Sequence, residues 1–147
     1  MRYRYNLFVL WAKPGELSKA IEYLQGENVP VVNVGKELAT FVENLEDDDF
    51  LHIEVYEYTL KLLEKSRLER EGLGNPVVAI YNIGILIEPR LELNAAKLLK
   101  DFSKANVMII LWEYPPLELD RLHWPTQQNT IFIDFSDIHI KNLDYAI

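Results

Sequence analysis

The feature that most constrains the fold is a regular alternation of short, continuous apolar runs with longer segments whose apolar residues recur at helical spacing. Four apolar runs have the length of buried strands, namely residues 7–11, 29–34, 77–81 and 107–112. Four segments have the spacing of amphipathic helices, namely residues 16–25, 36–45, 46–70 and 91–104. Strands without polar alternation are typical of a sheet that is covered on both faces. The alternation therefore predicts an α/β fold in which right-handed crossovers build a mainly parallel sheet.

The last quarter of the chain is less regular. Residues 115–128 begin with two consecutive prolines and predict an irregular segment, whereas residues 130–135 predict a fifth strand. We expect the tail to add a short edge element. Together these segments predict a five-stranded, mainly parallel sheet with helices on both faces, which is a three-layer arrangement. The chain has 147 residues, and this length favours a single domain over residues 1–147.

Composition and charge exclude several kinds of site and partner. The chain has no cysteine, so disulfides and zinc sites with thiolate ligands are excluded. The formal charge of −8 argues against DNA or RNA as a partner, because phosphate binding rests on Lys and Arg. The first five residues lack the apolar core of a signal peptide, and no apolar run has the length of a membrane span. We therefore expect a cytoplasmic protein without a membrane or nucleic-acid partner.

The turn between the first strand and the first helix is the usual phosphate cradle of an α/β protein. Here it consists of Ala12, Lys13, Pro14, Gly15, Glu16, Leu17, Ser18 and Lys19. A nucleotide-binding P-loop has a glycine-rich stretch followed by Gly-Lys-Ser/Thr, which holds the phosphates and magnesium. In ungapped register, Leu17 replaces that glycine, Ser18 replaces the lysine and Lys19 replaces the hydroxyl residue. The loop therefore predicts a P-loop-like turn without nucleotide binding, and a shifted register that uses Lys13, Ser18 or Lys19 stays an alternative.

Glu16 strengthens this prediction because it places a carboxylate at the N-terminus of the predicted helix. A helix N-terminus attracts anions such as phosphate, and an acidic side chain there stabilises the helix itself by about 0.3–1 kcal/mol. The acid therefore favours a structural turn over a phosphate site.

A second set of residues that nucleotide hydrolysis needs is missing as well. P-loop ATPases carry an Asp, often followed closely by Glu, at the end of a buried strand, where the two acids hold magnesium and orient water. After the apolar residues 77–80, those positions hold Tyr81 and Gly84. The sequence thus predicts no catalytic residue and no cofactor, since two separate places lack the same chemistry.

Several segments resemble a known family. Residues 82–93 read NIGILIEPRLEL and lead into LLKDFS at 98–103, while residues 31–38 read VVNVGKEL. These segments make the chain resemble, over residues 7–114 and in the same order along the chain, the small P-loop-containing BrxF-like proteins of BREX phage-defence systems. The resemblance implies a P-loop NTPase-like fold and a role in a defence complex with protein partners. Since active P-loop proteins often form homo-oligomers, self-association is a further expectation. Because the Gly-Lys-Ser/Thr and the Asp/Glu pair are missing, it does not imply ATP binding.

A small metal-dependent hydrolase or nuclease is the first alternative. Asp134, Asp137 and His139 lie at and after the predicted last strand, and Asp134 stands where a parallel strand would end. Acids at such strand ends hold metal ions in two-metal sites, but no second acidic strand end accompanies them. A further acidic run at 46–49, with His52, is interpreted as a solvated helix start whose acids match the helix dipole, and not as a metal site.

Aromatic residues and prolines near the end of the fourth strand suggest a surface for partners. The predicted patch consists of Tyr114, Pro115, Pro116 and Trp124, because exposed aromatic clusters mark interfaces. Trp11 and Trp112 end predicted strands, and core or rim packing is expected for them. The remaining alternative is a generic α/β protein-interaction module unrelated to defence, which the fold alone does not distinguish from a non-catalytic scaffold.

Overall fold

The structure, a computed structural model, describes residues 6–12, 15–45, 50–69, 74–87, 93–113, 121–125, 130–134 and 141–143. For residue 87 and for the last three ranges the description is limited to the backbone. Within these ranges the strands are β1 (Leu7–Trp11), β2 (Val31–Asn33), β3 (Val77–Tyr81), β4 (Val107–Trp112), β5 (Arg121–Pro125), β6 (Thr130–Asp134) and β7 (Lys141–Leu143). The helices are α1 (Leu17–Gly26), α2 (Val34–Glu43), α3 (Leu51–Ser66), α4 (Ala95–Ser103) and the 3₁₀ helix η1 (Ile83–Ile87).

The body of the structure is a sheet of four parallel strands in the order β2-β3-β4-β1. These strands coincide with the apolar runs that predict buried strands, which confirms the α/β class and the mainly parallel sheet. The three residues of β7 pair in parallel with the other edge of β1, in the tail where a short edge element is expected. Val9, Val78 and Ile110 are fully buried in their strands, as continuous apolar runs require when both faces of a sheet are covered.

The described helices form in the segments that the sequence predicts, with shifted ends. α2 follows β2 directly, and α3 begins at Leu51, whereas residues 46–49 lie outside the described ranges. α4 begins at Ala95 because Asn94 caps it, accepting a hydrogen bond from the backbone N–H of Lys97 at 3.0 Å. None of these helices has the length and apolar character that crossing a membrane requires.

The two faces of the sheet are covered unequally by the described helices. On one face α1 packs through Leu24 in a cluster with Ala79. On the other face α2, α3, η1 and α4 pack in a larger cluster that includes Val9 and Ile110. The chain moves from β1 to the far edge at β2 and then returns through β3 to β4. Right-handed crossovers therefore place the helices of the outward and return paths on opposite faces.

The remaining two strands form a separate antiparallel ribbon. β5 pairs with β6 so that Leu122 lies opposite Ile133 and Trp124 lies opposite Ile131, and the backbone of β6 approaches α4 and η1. The prediction of an irregular segment over 115–128 is therefore wrong for β5, and the assignment of 130–135 to the parallel sheet as its fifth strand is wrong too. The physical reason is local pairing, since a ribbon closes a shorter loop than a crossover does.

Candidate functional site

The carboxyl ends of parallel strands are where α/β proteins bind ligands, and the β1–α1 turn lies at this edge. Ala12 follows β1 and donates its backbone N–H to the carbonyl oxygen of Trp112 at 2.9 Å, so the hydrogen bonding between β1 and β4 continues one residue beyond β1. Gly15 has a φ of +79°, a conformation that glycine adopts without steric cost. Two of the eight loop positions, Lys13 and Pro14, lie outside the described residues.

An acidic residue stands at the start of α1, beside the backbone N–H groups that bind phosphate in a P-loop. Glu16 holds the N-cap position of α1, and its Oε1 lies 3.6 Å from Nζ of Lys19 in an ion pair. Ser18 is exposed, whereas Leu17 is half-buried against the core beneath α1. A carboxylate at this position repels an anion, and the cation of the same turn is engaged by that carboxylate.

The end of β3 carries no acid at the two positions where the metal-binding acids of a P-loop ATPase are expected. Tyr81 is half-buried and packs with the core on the α1 side. Gly84 lies within η1, next to the fully buried Ile83. Among the described residues, no group of three or more His, Asp or Glu side chains is placed to hold a metal ion.

A compact polar contact joins the ends of β2 and β3 at the same edge. Oδ1 of Asn33 accepts a hydrogen bond from the backbone N–H of Lys36 at 3.0 Å and another from Nδ2 of Asn82 at 2.9 Å. The first bond caps α2, and the second ties the start of α2 to the end of β3. Asn82 has a φ of +57°, which asparagine tolerates better than most residues. Gly35 makes the close approach possible, because a Cβ at this position would lie 2.7 Å from the carbonyl oxygen of Asn82.

Sequence reasoning missed this contact between Asn33 and Asn82. The two asparagines are 49 residues apart, and strand order alone brings them together. A partial signal exists, because an asparagine between an apolar run and a helical segment is a typical N-cap. That signal identifies the capping role of Asn33 but not its second partner.

Two tryptophans lie side by side at the carboxyl ends of β1 and β4. Trp11 and Trp112 are partners in the register of these strands, and both pack in the core on the side of α2 to α4. Trp112 is only 3% exposed, and Trp11 is half-buried, which confirms the predicted packing roles. The helix after β1 covers one face of the sheet, and the helices after β3 cover the other. β4 lies between these two strands, so the tryptophans stand near the switch point where doubly wound sheets hold ligands.

Of the three residues of the hydrolase alternative, the structure places one, through the backbone of Asp134. Asp134 ends β6 and pairs in register with Arg121 of β5. It therefore ends a strand of the antiparallel ribbon, so its predicted position at the end of a parallel strand is wrong. Asp137 and His139 lie outside the described residues.

The remaining predicted positions fall mostly outside the described ranges. Tyr114, Pro115 and Pro116 lie outside them, and for Trp124 the backbone alone is described, within β5. Residues 46–49 are outside as well, while His52 is exposed in the first turn of α3. The aromatic patch and the interpretation of the acidic run therefore stay predictions.

Comparison with known proteins returned no relative of this chain. No family model, no curated protein sequence and no solved structure matches it.

Proposed function

We propose that this protein is a non-catalytic, P-loop NTPase-like scaffold that binds protein partners. The observation that carries the proposal is the start of α1, where Glu16 stands at the N-cap position and pairs with Lys19 of the same turn. A phosphate cradle needs backbone N–H groups and a cation that face the anion. In this chain the carboxylate of Glu16 adds a negative charge beside those N–H groups, which disfavours a nucleotide phosphate there.

The arrangement of the strands supports the fold that the proposal assumes. β1 lies inside the sheet between β4 and β7, and a helix that covers one face follows it after a short turn. With β7 included, five parallel strands have helices on both faces, which is the three-layer arrangement expected for a P-loop NTPase-like domain. The turn after such an interior strand is the place of the phosphate loop, and here its residues are changed.

A place in a BREX-type antiviral defence complex is the cellular role that we propose for the scaffold. It is supported by the resemblance of residues 31–38, 82–93 and 98–103 to BrxF-like proteins. If the proposal is right, the gene lies beside genes of a phage-defence system, and its deletion raises the plating efficiency of phages on that host. A gene among unrelated neighbours, with no effect of deletion on phage growth, would favour the generic α/β interaction module.

Nucleotide binding is the direct test of the non-catalytic assignment. Trp11 and Trp112 flank the β1 end of the turn, so their fluorescence reports on a ligand bound there. We expect no saturable change on titration with ATP, with or without Mg²⁺, up to roughly 1 mM, the range of very weak binding. Magnesium-dependent binding of ATP at micromolar concentration would overturn the proposal.

The role of Glu16 is tested by removing its charge. Glu16→Gln should raise the melting temperature in the presence of inorganic phosphate or sulfate relative to chloride, because the helix start then no longer repels anions. Glu27→Gln is the matched control, since Glu27 is an exposed acid at the opposite end of α1. Equal responses of the two variants would show that Glu16 is not what excludes an anion.

A further inference from the structure

Two large apolar side chains project into solvent at the start of α3. Phe50 is 62% exposed and Ile53 is 46% exposed. They stand three residues apart, so they share one face of the first helical turn. We call them the Phe50–Ile53 surface. Leu68 is the third exposed large apolar residue of the described chain, at 40%. Its backbone pairs with Val77 in an antiparallel bridge, away from the start of α3.

Phe50 occupies a position where another residue type would stabilise the helix. It is the N-cap of α3 and makes no side-chain capping bond. The equivalent positions of α2 and α4 hold Asn33 and Asn94, each accepting a backbone N–H at 3.0 Å. A capping side chain contributes about 0.5–2 kcal/mol relative to an apolar residue. Neither capping nor burial among the described residues explains a phenylalanine at this position.

Within the described residues of α3, the acidic side chains nearest in sequence to the Phe50–Ile53 surface are two glutamates. Glu54 stands four residues after Phe50, and Glu57 stands four residues after Ile53, so each carboxylate lies beside one of the apolar side chains. The first basic residue of α3 is Lys61, beyond its second turn. The whole chain carries a formal charge of −8. A cationic partner is therefore attracted to this surface and an acidic one is repelled.

We infer that the Phe50–Ile53 surface docks a basic segment of a partner protein, one that carries apolar side chains between its lysines or arginines. The apolar side chains of that segment cover Phe50 and Ile53, and its cations pair with Glu54 and Glu57. The inference rests on the proposed scaffold function and names one surface of it and the chemistry of the partner.

The probe for this surface is a fluorescein-labelled amphipathic peptide of about 18 residues with leucine on one helical face and lysine on the other. Its fluorescence anisotropy is measured with the full chain at low and at moderate salt. The double substitution Phe50→Ser with Ile53→Ser is expected to weaken binding about tenfold or more, because exposed apolar anchors dominate small interfaces. Leu68→Ser is the matched control and should change the affinity less than about twofold.

The electrostatic part is tested with a pair of double variants of equal charge. Glu54→Gln with Glu57→Gln should weaken binding severalfold and flatten its salt dependence, because exposed charges are screened by salt. Glu22→Gln with Glu64→Gln removes two acids elsewhere, on α1 and late in α3, and should leave the affinity nearly unchanged. If the serine variant is unfolded by circular dichroism, this pair decides the question, since all four glutamates are surface residues.

Three results would overturn the inference. The first is failure of the lysine peptide to bind, and the second is equal affinity of the two glutamine double variants for it. The third is a loss of affinity in Leu68→Ser as large as that in the double serine variant. Sedimentation of the protein alone gives the fourth outcome. Self-association that the serine variant abolishes would assign the surface to a second copy of this chain. Nucleotide binding by the wild type would contradict the proposed function without changing the result with the peptide. Failure of the proposed function can therefore be distinguished from failure of this inference.

Discussion

Two strand-to-helix turns lie at the same edge of the sheet and are built in opposite ways. The β1–α1 turn contains Gly15 in open space, with nothing within 4 Å of a Cβ placed there, and an exposed ion pair between Glu16 and Lys19. The β2–α2 junction has no intervening residue, and Asn33 is bonded to both α2 and Asn82. Among the described residues, the turn whose sequence position suggests phosphate binding is therefore the looser one, and the close polar packing lies between β2 and β3.

The structural constraint acts mainly at the β2–α2 junction. At β2–α2, each member of the contact depends on the others: Gly35 leaves space, Asn82 takes a positive φ to fill it, and Asn33 accepts its amide. At β1–α1, Glu16 and Lys19 interact within one turn of the same helix. Substitutions at the first place are expected to cost more stability than substitutions at the second.

The largest effect is expected for Gly35→Ala. The new Cβ would lie 2.7 Å from the Asn82 carbonyl oxygen, and relieving such a contact requires backbone movement, which costs about 1–3 kcal/mol. Denaturant unfolding should show the loss in the free energy of unfolding. A neutral result would mean that the β2–α2 junction yields easily and that the comparison is mistaken.

A smaller loss is expected for Asn33→Ala, and Asn94→Ala is its control. Both asparagines cap a helix at 3.0 Å, a contribution of about 1 kcal/mol, but Asn33 also accepts the Asn82 amide. We expect Asn33→Ala to cost about 0.5–1.5 kcal/mol more than Asn94→Ala, the usual contribution of one hydrogen bond. Equal losses in thermal or denaturant unfolding would show that the bond to Asn82 adds nothing.

At the looser turn, Gly15→Ala should cost only about 1 kcal/mol, since its φ of +79° is strained for alanine while no neighbouring atom obstructs the Cβ. Gly26→Ala should instead raise the free energy of unfolding. Gly26 lies in α1 with open space around it, and alanine is favoured in helices by about 0.5–1 kcal/mol. Chemical denaturation of both variants separates backbone strain from steric contact. A loss for Gly15→Ala as large as that for Gly35→Ala would remove the contrast between the turns.

The smallest effect on stability is expected at Asp101 on α4, far from both turns. Its ion pairs are surface contacts, so this effect is the reference against which the effects at the turns are compared. The hydrogen bond from Lys97, and then that from Lys104, lowers the pKa of Asp101 below its ordinary value of 3.8. A carboxyl whose pKa is lower in the folded protein stabilises the fold at pH values above its pKa in the unfolded chain. This contribution is lost as the pH falls through its pKa in the folded protein. Asp101→Asn should therefore lower the melting temperature slightly at neutral pH and not at all in strong acid. A difference that persists in acid would point to another cause.

The sequence predicted the secondary structure of the parallel sheet well, because β3 and β4 are continuous apolar runs with no polar alternation. The unequal coverage of the two faces could not be predicted, since it depends on the strand order and on the return path from β2 to β4. β5 was missed because Pro115 and Pro116 suggested an irregular segment over residues 115–128, and the strand predicted at 130–135 was assigned to the parallel sheet instead of the ribbon. The Asn33–Asn82 contact was out of reach, since its partners are adjacent only after the strands have been ordered.

For the candidate site, the residue changes of the β1–α1 turn could be recognised from the sequence. The ion pair of Glu16 with Lys19 follows from their spacing on a helix. The exposure of Phe50 could not be recognised, because an apolar residue before an amphipathic helix normally packs against it as a staple. Only the tertiary structure shows that Phe50 points into solvent.

The position of β1 between β4 and β7 has a consequence during synthesis of the chain. The segment just before β1 bonds across 97 residues, from Asn6 to Ser103, and β1 itself finds its neighbour only when β4 has left the ribosome. At typical translation rates of 5–20 residues per second, the first strand waits for roughly 5–20 s with Leu7, Val9 and Leu10 uncovered. We therefore expect the nascent chain to depend on a holding chaperone until its fourth strand emerges, and its yield to fall when translation slows between α1 and β4.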